Sequence, residues 1–375
     1  MGTDNISAYE KKKWVSLTGL CNNNCIFCLD GDRTDRFHKS EEKIKDEINS
    51  GIAEGATRLV LSGGEPTIHP KLVELIKYGK SIGYKKIQIV SNGRMLAYKS
   101  FVTALKKAGL NEVTFSIHGH TSELHESLTN VKGSFNQSVM GIRHAINAGF
   151  IVNTDTVITK KNYMHLPEII EFLHGLGVYE VNLMSLVPFG NAWKNKEKVM
   201  YDFNDIRPYI IKVIEYCEDN NLVLWFSRFP AQYLEGYERY IESYKKLLED
   251  VRAIGEDFFK RRPFCFGERC NFCGISTICN HLVNSVKNKD GDLYWYYKYN
   301  HPPCINDKSW SLTSKRNKIY VRSFDELAEG ICKNSTVKAI SCKNCVYEKE
   351  CSGVSREYIR DRGFSILHPI MSTKK

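Results

Sequence analysis

No apolar run in this 375-residue chain approaches the roughly 18 residues of a membrane span. The start, Met1-Gly2-Thr3-Asp4-Asn5, lacks the basic-then-apolar layout of a secretory signal. A soluble, cytoplasmic protein without a membrane partner is expected. No stretch has the spacing of a nucleic-acid-binding module. The formal net charge of +10 can steer an anionic partner such as an acidic peptide or RNA. However, its small runs, Lys11-Lys12-Lys13, Lys106-Lys107 and Lys260-Arg261-Arg262, are of the kind that coats a solvated surface, so nucleic acid is not expected. A disulfide framework is also missing: the 13 cysteines are odd in number and come without an export signal, which favours metal ligation and sensitivity to oxygen.

One further absence is local. Cys21, Cys25 and Cys28 stand within eight residues, and no fourth cysteine is near them. Asp30, Asp32 and His38 follow at spacings that fit no usual zinc pattern, and a structural zinc site needs four ligands. A cubane iron-sulfur cluster on three thiolates instead leaves one iron open to a non-protein ligand. Offsets of four and three also fall on one side of a helix. Gly19 and the Asn22-Asn23-Asn24 triplet argue for a loop instead.

From residue 14 to about 190, short β-branched runs alternate with amphipathic stretches, the pattern of repeated βα units and a parallel sheet. Six strands are read at 14–17, 58–61, 86–90, 112–117, 151–158 and 180–185. Leu72, Leu75 and Ile76, and Leu166, Ile169, Ile170 and Leu173, have the offsets of buried helical stripes. Ligands collect at the C-terminal ends of parallel strands. Those ends carry Cys21–Cys28, Ser62-Gly63-Gly64-Glu65-Pro66-Thr67, Ser91-Asn92-Gly93-Arg94, Ser116 with His118-Gly119, Thr159–Asn162, and Ser185–Asn191. Residues 1–200 are expected to form one α/β core of six βα units, two repeats short of a full eight-unit barrel. Residues 201–262 read as a helical bridge: a helix over 202–218, one more strand at 222–226, and a charged helix over 231–260. In that last helix Tyr233, Tyr237, Tyr240 and Tyr244 form a packing stripe rather than a radical relay.

Residues 263–375 read as a smaller cysteine-rich domain. Cys265, Cys270, Cys273 and Cys279, and again Cys332, Cys342, Cys345 and Cys351, contain Cys-x2-Cys-x5-Cys, so each group has the four thiolates of a cubane or a zinc site. Residues 293–299, Leu-Tyr-Trp-Tyr-Tyr-Lys-Tyr, read as a β-hairpin strand packing on this domain or as a substrate platform.

The spacing Cys-x3-Cys-x2-Cys, with Phe27 before the last thiol, resembles the signature of radical S-adenosylmethionine (radical SAM) enzymes. The Gly63-Gly64-Glu65-Pro66 turn resembles that family's GGE motif, in which backbone carbonyls and a carboxylate accept from the SAM ammonium. The C-terminal cysteines resemble SPASM or twitch extensions that house auxiliary clusters. Ser355 stands where that pattern continues with a cysteine, which leaves open whether Cys304 or Cys332 is exchanged between sites. The resemblance implies a partial (βα)6 TIM-like barrel over residues 1–200, a SAM-binding 4Fe-4S cluster, SAM, one or two auxiliary 4Fe-4S clusters and a reductant such as flavodoxin or ferredoxin. It further implies reductive cleavage of SAM to a 5′-deoxyadenosyl radical that takes hydrogen from substrate. Ser116 aligns with a serine contacting the SAM carboxylate or ribose. At the next positions the family often reads Ser-Leu-Asp-Gly, so His118 replaces an acid and bonds ribose, substrate or a proton donor, or is structural. His125 matches a family histidine, but the arginine expected soon after it is absent before Arg143. Asn162 and Ser185 are weaker candidates for ribose and adenine contacts, and Phe27 stacks near the adenine or packs the loop. The implied chemistry is oxidation or crosslinking of a peptide or protein side chain, with auxiliary clusters taking the electron. With 20 residues ahead of Cys21, no leader-binding domain is expected there. The alternatives are the same chemistry on a sugar, nucleoside or amino-acid derivative, and a non-catalytic zinc- or RNA-binding protein.

Overall fold

The structure is a computed structural model, and it describes residues 10–32, 37–254, 268–272, 294–298, 316–320, 324–333, 335–345, 348, 351 and 353–367. The chain divides into two compact units with the boundary between Trp225 and Phe226.

The larger unit is built on strands β1 (Lys12–Ser16), β2 (Arg58–Ser62), β3 (Lys86–Ser91), β4 (Glu112–Ser116), β5 (Ile151–Val157) and β6 (Glu180–Met184), which pair in sequence order and in parallel. A seventh strand, β7 (Val223–Ser227), extends the sheet beyond β6 and runs across the unit boundary. The additional strand expected in the bridge is thus part of the barrel sheet. Parallel crossovers share one hand, so a sheet wound in strict sequence order carries its helices on one face and curls around the other. The α/β, TIM-like architecture follows, open between β1 and β7.

Those helices are α1 (Glu41–Ala53), α2 (Leu72–Ser81), α3 (Lys99–Ala108), α4 (Ser122–Thr129), α5 (Ser134–Asn147) and α6 (Leu166–Gly175). Ser40 caps α1 through the N–H of Lys43, with Glu41 and Glu42 in its first turn. Thr121 caps α4 through Leu124, and Asn130, in left-handed conformation, ends it. Leu72, Leu75 and Ile76 on α2, and Leu166, Ile169, Ile170 and Leu173 on α6, are buried as their offsets require. Burial of apolar faces like these is the main source of stability in such a sheet.

The strand starts carry a buried polar layer. The Arg58 guanidinium bonds Glu112 and Gln88, Glu112 also accepts from Asn153 (2.7 Å), and Gln88 donates to Thr114 (2.7 Å). This network closes the end opposite the loops described below. Removing one member would leave a buried charge unpaired.

After β6 come the short helices α7 (Asn191–Lys194) and α8 (Lys196–Val199), then α9 (Phe203–Asp219), capped by the Asp202 carboxylate on the N–H of Asn204 (2.8 Å). The helix expected over 231–260 is broken: two 3-10 turns, Ala231–Leu234 and Glu238–Tyr240, precede α10 (Tyr244–Ile254). Pro230 opens this stretch and Gly236, at φ 90°, interrupts it. The four tyrosines therefore share no helical stripe; Tyr240 instead packs edge-on against Phe226 (6.3 Å).

In the smaller unit, Tyr294–Lys298 pairs antiparallel with Arg316–Tyr320, so the aromatic run does form a paired strand. Helices Phe324–Lys333 and Arg356–Arg362 follow, with a two-residue pairing of Thr336–Val337 on Val354–Ser355. Glu238 and Glu357 tie the unit together by accepting from the backbone N–H groups of Phe364 (3.1 Å) and Tyr244 (2.7 Å). Among the described residues, no helix is long and apolar enough to cross a membrane.

Candidate functional site: a three-thiol loop at the strand ends

The loop after β1 carries Cys21, Cys25 and Cys28, and its backbone is held from several sides. Arg94, just past β3, donates to the carbonyl of Asn22 and to Oδ1 of Asn23 (3.1 Å), while Asn92 Nδ2 donates to Oδ1 of Asn22 (2.6 Å). The N–H groups of Asn24 and Ile26 donate to Thr129 (3.1 Å) and Leu128 (2.9 Å), carbonyls in the last turn of α4 that helix geometry leaves without partners.

The three sulfurs lie within electrostatic reach of one another. Burial raises the Cys21 thiol to about 11, helped by the nearby Glu65 carboxylate and Cys28, against hydrogen bonds from Asn23 and Asn92. Burial also pushes the Cys25 thiol well up, and Cys28 and Cys21 add to the effect. These sulfurs are poor places for negative charge unless cations are supplied nearby. Among the described residues no three His, Cys, Asp or Glu side chains converge tightly enough to hold a single metal ion. Three thiols spread round a loop, Cys21 exposed and Cys25 and Cys28 half-buried, fit an iron-sulfur cluster, whose thiolates bind different irons, better than they fit one zinc.

Gly63, Gly64 and Glu65 follow β2 and lie against this loop. Gly64 N–H donates to Thr18 (2.7 Å) and Glu65 N–H to Leu20 (2.8 Å). Gly63 has φ 133°, and a Cβ on Gly64 would stand 2.1 Å from the Leu20 carbonyl oxygen, so the approach of the two chains requires glycine here. The Glu65 side chain is 1% exposed. One oxygen accepts from the N–H and hydroxyl of Thr67 and from Ser91 (2.7 Å), and the other from the N–H of Asn92 (2.7 Å). Burial raises its pKa while these donors lower it, and among the described residues no Lys or Arg forms an ion pair with it. A buried, oriented carboxylate next to the thiols suits a cationic group such as an ammonium.

Past β4, the two histidines are locked by backbone donors. The Val157 N–H donates to His118 Nδ1 (3.2 Å) and the His118 N–H to His125 Nδ1 (3.2 Å), so each ring carries its proton on Nε2. Phe27 packs edge-on against His118 (4.7 Å), and the rings of His118 and His125 are stacked at 5.8 Å. Burial holds both pKa values down, His125 to about 4, so both are neutral at physiological pH. Phe27 thus joins the thiol loop to His118 past β4.

The remaining expected residues fall at the same end of the sheet. Ser116 ends β4 opposite Asp155. Asn162 is fully buried, and its amide accepts from the N–H (2.7 Å) and hydroxyl (3.0 Å) of Thr159 while donating to the carbonyls of His118 (3.0 Å) and Val157 (3.0 Å). It therefore ties the ends of β4 and β5 together. Ser185 is buried, with Tyr201 OH 3.4 Å from its hydroxyl. Asn92, Arg94 and Asn191, which help hold the thiol loop, lie in the strand-end stretches picked from the sequence but carry no individual role there, and Asn195 lies just beyond them. Position was the available signal, because each follows a strand.

In the smaller unit, Cys265, Cys273, Cys279 and Cys304 lie outside the described residues, and Cys270 is described only as part of a short turn, Glu268–Phe272. Cys342 feels the charges of Cys351 and Cys345, which places these thiols within electrostatic reach of it. Cys332 is fully buried on the Phe324–Lys333 helix, raised to about 12 by burial, and among the described residues the charges acting on it are those of Arg356, Glu242, Asp250 and Arg252.

The Radical SAM superfamily model matches residues 15–173, the stretch holding both the thiol loop and the Gly-Gly-Glu turn. This chain carries a radical SAM domain. The superfamily's cofactors are a 4Fe-4S cluster and SAM, which agrees with the donor set just described. The chain is 32% identical over 201 residues to a probable GTP 3',8-cyclase of Saccharolobus islandicus, a match covering 53% of this chain and 64% of that protein's length. The chain thus spans less than two thirds of such relatives. Two solved structures share its fold: Streptococcus suis SuiB bound to precursor peptide SuiA (TM-score 0.54, 18% identity, 75% of this chain and 74% of that one), and SuiB bound to S-adenosylmethionine (TM-score 0.53, 17% identity, 98% and 77%).

Proposed function

We propose that this chain is a radical SAM enzyme that oxidatively modifies or crosslinks a peptide or protein side chain. The observation that carries the reading is the meeting of three clustered thiols with a buried carboxylate that has no Lys or Arg ion pair among the described residues, at the Gly63-Gly64-Glu65 turn. Cys21, Cys25 and Cys28 hold the cluster, and Glu65 with the turn's backbone takes the SAM ammonium. When bound, cluster and SAM supply one-electron cleavage to methionine and a 5′-deoxyadenosyl radical that removes hydrogen from substrate. The protein's own part is positioning: the locked Nε2–H of His118 offers a fixed donor, Phe27 covers the loop, and Asn162 holds the strand ends. The C-terminal thiols are suited to carrying away the substrate's electron.

Peptide substrates are favoured by the SuiB fold, which extends beyond the barrel and was solved with a precursor peptide. A second reading, a nucleotide or other small molecule, is favoured by the GTP 3',8-cyclase relatives, although those alignments span 201 residues. Cys25→Ala in anaerobically reconstituted protein should abolish 5′-deoxyadenosine formation while leaving the C-terminal iron in place; retained cleavage would refute the assignment. Wild-type iron near one cubane, about four atoms per chain, would sink the auxiliary-cluster part. Turnover with GTP but not with a peptide encoded beside the gene would decide for the second reading.

A further inference from the structure

The thiol loop is anchored in two halves, to different strands. Its first half hangs on Asn92 and Arg94 past β3 and, through Asn24 and Ile26, on the end of α4. Its second half is gripped by the stretch after β6. Asn191 donates its backbone N–H to the Cys28 carbonyl (2.8 Å) and its side-chain Nδ2 to the Cys25 carbonyl (3.0 Å). Asn195, four residues on, donates Nδ2 to the Ile26 carbonyl (3.1 Å) and back to Asn191 (2.9 Å).

Two glycines let the parts meet. Gly190 has φ 56°, and a Cβ there would lie 2.5 Å from the Leu29 oxygen and 2.6 Å from the Cys28 oxygen. A Cβ on Gly31 would lie 2.2 Å from Cγ of Asn191, so the Asn191 amide is seated directly on the loop. The Cys25 and Cys28 carbonyls each already accept one turn hydrogen bond, from Cys28 (3.2 Å) and Gly31 (3.2 Å). Asn191 adds a second donor to both. Carbonyl dipoles of ligand residues are fixed charges beside a cluster, and the hydrogen bonds they accept tune its electronics and hold its ligands in place.

We infer that Asn191 and Asn195 are positioning residues that fix the Cys25–Cys28 segment relative to Cys21 and thereby set the reduction potential and retention of the cluster. This rests on the reading that these thiols hold the cluster. Asn191→Asp keeps the side chain's shape but exchanges the donor for an acceptor and adds negative charge next to two ligand residues. In the reconstituted full chain it should move the EPR-monitored midpoint of the N-terminal cluster to more negative potential. It should also speed loss of that cluster's iron to EDTA by about tenfold, the lower end for outer-shell partners. Asn195→Ser, which touches one carbonyl of a non-ligand residue, should speed iron loss by a smaller factor and leave the C-terminal iron unchanged. It remains informative if Asn191→Asp folds poorly. A midpoint and chelation rate equal to wild type in both variants would overturn the inference. Cys25→Ala run in parallel keeps the two readings separate: N-terminal iron retained there defeats the cluster assignment, whereas normal loss there with unchanged asparagine variants defeats only the positioning role.

Discussion

Gly64→Ala tests whether the approach of the Gly-Gly-Glu turn to the thiol loop is as tight as the geometry requires. The new Cβ would meet backbone, with the Leu20 carbonyl oxygen at 2.1 Å, the Leu20 carbonyl carbon at 2.7 Å and the Gly19 carbonyl carbon at 3.1 Å. No flexible side chain is available to move aside. Relief requires the two segments to part, which costs about 1–3 kcal/mol as overpacking. Parting also weakens the Glu65 N–H bond to Leu20 (2.8 Å), for about 1 kcal/mol more. A total of roughly 2–4 kcal/mol corresponds to a fall of about 5–15 °C in Tm for a unit of this size. Differential scanning calorimetry on the reconstituted protein reads that fall, and equilibrium dialysis reads the accompanying loss of SAM affinity. Gly83→Ala is the control: its φ of 109° makes alanine strained, but nothing lies within 4 Å of the added methyl, so only conformational strain of about 1 kcal/mol is expected and SAM affinity should not change. If Gly64→Ala matches wild type in both Tm and SAM affinity, the argument for a sterically required glycine fails.

The histidine pair makes stability depend on pH. His125 is held down to about 4 from an ordinary 6.5, and His118 is lowered too, chiefly by burial and then by His125. Both are neutral when folded, so their contribution is fully present above about pH 6.5 and is lost as pH falls from 6.5 toward 4, where the unfolded chain binds the extra protons. At pH 5.5 the loss for His125 is about 1.4 kcal/mol, and His118 acts in the same direction. Denaturant melts at pH 7.5 and 5.5 should show a clearly smaller drop for His125→Asn than for wild type, and equal drops would contradict the burial argument. Cys332→Ala should keep the C-terminal iron while Cys345→Ala loses it, as measured by iron analysis. Equal losses would return Cys332 to the ligand set despite its buried place beside Arg356 and Glu242.

Periodicity made the barrel legible. Runs such as Arg58–Ser62 are short, centred on apolar Leu59-Val60-Leu61 and buried up to Leu61, and the stripes on α2 and α6 repeat at helical offsets, so strand, helix and parallel order follow from local pattern. Where a run's role depends on distant partners, pattern says less. Val223–Ser227 reads as a strand, but its place as the seventh member of the sheet depends on contacts with β6. Over 231–260, apolar and tyrosine spacing reads as one helix, while Gly236 at φ 90° and the turns on either side of it break the chain before α10.

The same division holds at the site. Cys21, Cys25, Cys28, Gly63, Gly64 and Glu65 are legible because their chemistry is concentrated in short segments whose spacing carries the signal. The residues that hold those segments are single asparagines and an arginine. Asn191 and Asn195 reach Cys25 and Ile26 across 166 and 169 positions of sequence, and no local pattern announces such a contact. Asn162 shows the converse: a polar residue after a strand reads as a ligand contact, but buried backbone groups need partners, and here the N–H and hydroxyl of Thr159 and the carbonyls of His118 and Val157 take all four bonds of its amide. Polar residues past a strand end thus serve two ends, ligand and backbone, and the count of hydrogen bonds already made separates them. By that count Asn162 is engaged fully within the chain, whereas among the described residues the Nε2–H of His118 and the buried Nε2–H of His125 have no hydrogen-bond partner and the second Glu65 oxygen accepts from Asn92 alone. The hydrogen-bonding capacity left over at these strand ends therefore includes two histidine donors and one carboxylate acceptor, which is where a bound ligand would find unmet partners.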